Sequence, residues 1–141
     1  MSPARSTSTA HPPASGNIAV LRGEIATIPA DRELRTGSVI VHFDVATSAP
    51  AARTGGGSGS GERVPVAWPD PPSRARALVE PGATVVVVGR VRRRFFRAGG
   101  VTQSRTEVVA TQVVPARRRA ATAKLLDSVV DEVGALRAGR R

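Results

Sequence analysis

The sequence predicts an all-β domain followed by a C-terminal helix, and three patterns carry that prediction. Ser38–Thr47 alternates strictly, with Val39, Val41, Phe43 and Val45 on one face and Ile40, His42, Asp44 and Ala46 on the other. Ala83–Val88 is a β-branched run, and Gly89 then bends it toward Arg97. In residues 116–137, Leu125, Leu126, Val129, Val130, Val133 and Leu136 recur at helical spacing, with Asp127, Asp131 and Glu132 off the stripe.

Taken in order, residues 1–16 are Ser, Thr, Pro and Ala without periodicity and read as a disordered tail. Asn17–Arg22 is a short apolar run suited to a strand buried on both sides. Pro29 and Asp31 break that pattern, and Gly37 turns the chain into the alternating strand. Residues 54–61 (Thr-Gly-Gly-Gly-Ser-Gly-Ser-Gly) are low-complexity and read as a flexible loop between strands.

A third strand, Arg63–Trp68, contains Pro65, which cannot donate a ladder hydrogen bond and so marks an edge or a bulge. Ser73–Val79 has room for two helical turns, with Ser73 as N-cap and Gly82 as the stop. Strand four starts at Ala83, Ala98-Gly-Gly100 turns the chain, and Arg105–Val114 is strand five. The C-terminal helix packs back onto the barrel or pairs between subunits, and residues 138–141 form a basic end. Three strands, a short helix and two more strands is the order of a five-stranded Greek-key barrel of the OB type over residues 17–115.

Composition narrows the function classes. The 141 residues carry 21 Lys+Arg against 11 Asp+Glu, a net charge of +10, which favours a polyanionic partner. Lys124 is the single Lys, so Arg supplies the remaining cations, each a flat donor fork for phosphate. With no Cys and two distant His, no metal site is expected, and no cofactor either. A general acid–base pair at His42 and Asp44 would need a nucleophile or a substrate pocket that nothing supplies, so the chain reads as a non-enzyme. No apolar run approaches the ~20 residues of a membrane span, and the N-terminus lacks a secretory hydrophobic segment, so a cytoplasmic protein is expected.

Several blocks in register carry a resemblance. Asn17–Gly23 is followed by Asp44-Val-Ala-Thr47, and Glu80-Pro-Gly82 precedes Val85-Val-Val-Val-Gly-Arg-Val-Arg92, with Arg105-Thr-Glu-Val-Val109 last. Over about residues 17–115 the chain resembles the bacterial single-stranded DNA-binding (SSB) proteins. The resemblance implies bases laid on aromatic rings while cations track phosphates, without sequence preference. It also implies a homo-oligomer, with a tetramer expected ahead of a dimer.

Within strand four, period two sets Arg90, Arg92, Arg94 and Phe96 on one face and Val91, Arg93 and Phe95 on the other. The resemblance puts Phe96 and Trp68 at stacking positions. With Arg105, which heads the last block, these form the candidate nucleic-acid site: Arg90, Arg92, Arg94, Phe96, Trp68 and Arg105. Phe43 and Phe95 fit the core phase.

This chain is a divergent member of that pattern. Tyr is absent, and family aromatics fall near Glu62 and Ala51. Binding should therefore lean on charge and be salt-sensitive. The family's acidic tip is replaced by Arg137-Ala-Gly-Arg-Arg141, so recruitment of partners through such a tip is not expected. Single-stranded DNA is the first partner expected, with RNA a second. The alternative from another class is an SSB-derived accessory module that binds protein, with weak or lost DNA affinity.

Overall fold

The computed structural model describes residues 15–47 and 62–138. The Gly/Ser segment 54–61, most of the N-terminal tail and residues 139–141 lie outside the described residues. Six strands and two helices follow in chain order: β1 (Ala19–Ile25), β2 (Ala30–Glu33), β3 (Val39–Thr47), β4 (Glu62–Pro69), α1 (Ser73–Arg76), β5 (Thr84–Ala98), β6 (Val101–Pro115) and α2 (Arg119–Ala138). The sheet runs β1-β5-β6-β4-β3-β2, and a further β1–β3 pairing closes five of the strands into a barrel. The β4–β6 contact is parallel; every other pairing is antiparallel.

The alternation in β3 does what its sequence requires. Val41, Phe43 and Val45 are buried with Ile25, Val66, Trp68, Val85 and Val87, while Val39 packs against their margin. β1, expected to be buried on both sides, is not. Ala19 and Leu21 pack on the core, but Val20 is 43% exposed and Arg22 and Glu24 face out. Pro65 lies opposite Asp44, whose N–H goes to the Thr27 hydroxyl (3.0 Å) and whose carbonyl accepts from Ala26 N–H (2.8 Å). The donor that proline lacks has no partner waiting across β3.

Three local expectations need correcting. The break expected at Pro29 and Asp31 opens a short four-residue strand, β2, with Asp31 inside it, which pairs with β3 from Ala30↔His42 to Glu33↔Val39. All four β2 residues are exposed, so they carry no hydrophobic periodicity for a reading to detect. The predicted two-turn helix is a single turn, α1, and its N-cap is Pro72 without a side-chain cap, so Ser73 stands one place inside. Strand five starts at Val101 and not at Arg105, because Gly99 and Gly100 both have positive φ (62° and 79°) and make a two-residue hairpin turn.

β5 and β6 change character at Gly89. The register shifts between Val88 and Gly89, and Thr111 is the extra residue, its hydroxyl donating to the Val88 carbonyl at 3.0 Å. A Cβ on Gly89 would run into the carbonyl oxygen of Val109, so only glycine permits this approach. Beyond the bulge, the two strands leave the barrel as a two-stranded ribbon. Asn17 braces its base: its side-chain amide donates to the Val91 carbonyl and accepts from the Val91 N–H, both at 2.8 Å.

α2 packs back onto the barrel, as one of its two expectations had it. Leu125 and Val129 bury against Val86 and Val88 on the outer face of β5. The rest of the stripe does not follow: Leu126, Val130, Val133 and Leu136 stay exposed (37%, 67%, 50% and 37%). No helix among the described residues is long and apolar enough to cross a membrane.

Candidate nucleic-acid interface

Cross-strand register decides which side chains share a face of the ribbon. On one face, Arg90 lies opposite Val109, Arg92 opposite Glu107, Arg94 opposite Arg105, and Phe96 opposite Gln103. This face continues into the outer surface of the barrel along the row Arg90, Val109, Ala67 and His42. Five of the six candidate residues therefore stand together. Trp68 does not join them.

The five differ in what they are free to do. Arg92 is committed: its guanidinium binds the Glu107 carboxylate, Nε at 3.2 Å and Nη2 closer still. Glu107 is 3% exposed while the Arg92 side chain is 37% exposed, so a buried anion holds a half-open cation. The expected row of three free arginines is interrupted at its centre. Arg94 and Arg105 form the opposite kind of pair, two cations directly across a ladder, an arrangement that is destabilising unless an anion sits between them. The Arg94 guanidinium lies over the Phe96 ring at 5.8 Å from its centroid. Among the described residues the ion pairs are Arg76–Asp31 and Arg92–Glu107, so neither Arg94 nor Arg105 has a carboxylate of its own there.

His42 joins this surface from β3. Partial burial lowers its pKa below 6.5; Glu107 pulls it back up, while Arg94, Arg32 and Arg105 push it down further. The imidazole is thus neutral at pH 7 within a field of cations.

Two aromatic assignments change places. Trp68 is 2% exposed and sits in the barrel core with Val66 and Val41, so its ring presents no face to a base. The even positions of β4 point inward, and the family-based stacking position is overridden by packing. Phe43 is in the core as expected, at 3% exposure. Phe95, read as core from its phase, is 65% exposed. Its phase is the inward one, but the core ends at Val108, the partner of Val91, and Phe95 lies four residues farther out, about 13 Å along the strand. The signal that could have found it is Gly89, which marks where strand leaves barrel.

A closed five-stranded barrel with a projecting basic ribbon is the architecture of an OB-type binding protein. The family model of the single-strand binding proteins matches residues 17–115, and the chain belongs to that family. Among solved structures, the chain is similar to the Plasmodium falciparum SSB in complex with ssDNA, with a TM-score of 0.60 and 16% identity over 72% of this chain and 95% of that one. At that identity the likeness concerns the fold. No curated protein sequence matches the chain.

Proposed function

We propose that this protein binds single-stranded DNA without sequence preference, as a cytoplasmic homo-oligomer serving DNA replication, repair or recombination. One observation carries the reading furthest: Arg94 and Arg105 face each other across the ribbon beside Phe96. Two opposed cations next to a ring are costly in a free protein and suited to a phosphate with its base on the ring. Family membership and the ligand of the Plasmodium structure support the same class of partner. Binding, and not catalysis, is the activity proposed.

Arg90, Arg94 and Arg105 would take phosphates, Phe96 would take a base, and Arg92 would be held back by Glu107. The exposed apolar row Leu126, Val130 and Val133 on α2 supports association between copies. The same row favours a second reading, an accessory module that contacts another protein and has lost its DNA affinity.

Fluorescence polarisation with labelled oligo-dT, oligo-U and duplex DNA at about 50 mM salt separates the two. Oligo-dT should bind ahead of duplex and dissociate as salt rises. Arg105→Ala should weaken binding and lower the log–log salt slope by about 0.7, the contribution of one phosphate on a single strand. It should also stabilise the free protein by a few tenths of a kcal/mol, about the size of a relieved like-charge pair. No binding of oligo-dT would leave the accessory module as the better reading.

A further inference from the structure

The opposite face of the ribbon repeats the chemistry of the first. Arg93, Phe95 and Arg97 lie there, opposite Thr106, Ser104 and Thr102. The Arg93 guanidinium sits over the Phe95 ring at 5.9 Å, nearly the geometry of Arg94 over Phe96. Phe95 is the most exposed of the chain's four aromatic residues, at 65%. Across from this ring and its two cations stand three hydroxyl side chains and no carboxylate. Neither the barrel core nor α2 covers it.

We propose that this face is a second stacking station for single-stranded nucleic acid, with Phe95 taking an unpaired base and Arg93 and Arg97 its flanking phosphates. A strand bound on the Phe96 face would pass around the ribbon and be gripped on both sides. Charge selects the occupant: a surface of two arginines, one ring and three hydroxyls fits a polyanion with π-faces better than the apolar surface of a second copy. The inference rests on the single-strand binding proposed above and adds a site to it.

F95W places a fluorescent ring at the station, while Trp68, buried in the core, supplies a background that DNA does not reach. Emission of F95W should be quenched as oligo-dT binds. F95A should weaken binding of long oligo-dT roughly five- to a hundredfold, the range for loss of one stacked base. Its effect should multiply with that of F96A, because the rings are on opposite faces. F95W emission unmoved by oligo-dT that polarisation shows to be bound would overturn the second station alone. So would F95A that alters sedimentation but leaves affinity unchanged, which would make Phe95 a protein contact. A wild-type protein that binds no oligo-dT would overturn both this inference and the function on which it rests.

Discussion

The two halves of the β5–β6 pair belong to one antiparallel ladder, interrupted by the bulge at Gly89, and have opposite surroundings. Before Gly89, Val85 and Val87 enter the barrel core while Val86 and Val88 lie under α2, so both faces of the strand are covered. After it, Val108 and Glu107 are the last buried residues, and farther out Arg93–Arg97 pairs with Thr102–Thr106 with no residue buried on either face. Backbone pairing is satisfied equally in both halves, so the ladder does not explain the difference. Side chains do: a valine run needs two covered faces, whereas arginines on both faces keep a ribbon in water. One regime gives way to the other just past the bulge at Gly89, between the Arg92–Glu107 and Arg93–Thr106 pairs.

That contrast breaks most visibly at the aromatics. Trp68→Ala should lower unfolding free energy by about 3–5 kcal/mol in urea titration, as loss of a large core ring does. Phe95→Ala should change it by less than about 0.5 kcal/mol. A large loss from Phe95→Ala would mean that the ribbon is packed and not free. Glu107 tests the boundary between the halves, since it is buried with the barrel but binds a cation of the ribbon. Glu107→Gln should cost about 1–2 kcal/mol, moderated because Arg92 is partly exposed. It should also release Arg92 to phosphate and steepen the log–log salt slope of binding by about 0.7. Stability loss with an unchanged slope would show that Arg92 takes no phosphate even when released.

The smallest effect concerns His42. Its pKa is lowered in the fold, first by burial and then by the neighbouring arginines. Below pH 6.5 the unfolded chain therefore takes up a proton that the folded chain resists. The contribution of His42 is fully present above pH 6.5 and is lost as pH falls from there through the folded value. His42→Gln should flatten that part of the stability curve. An identical pH dependence in the variant would show that His42 does not contribute to it.

Much of this was legible in the residues. The alternation of β3, the β-branched run of β5 and the turn at Gly99-Gly100 are local patterns, and each produced the element it announced. β2 was not legible, because a fully exposed strand has no apolar phase and exists through its pairing with β3. In the candidate site, the face shared by Arg90, Arg92, Arg94 and Phe96 followed from period two. Its division into one paired and several unpaired arginines did not, since Glu107 is fifteen residues from Arg92 and meets it through strand register.

The sequence by itself determined the barrel's strands, the basic character of the ribbon and the family to which the chain belongs. Those properties are written in periodicity, composition and short blocks that depend on near neighbours. Only the tertiary structure decided which aromatic is buried and which is exposed. Phase assigns a side chain to one face of a strand, but burial depends on whether another layer stands opposite, and that is settled by where the barrel closes. Trp68 points into a filled interior, Phe95 points the same way past its end, and one is buried while the other is exposed.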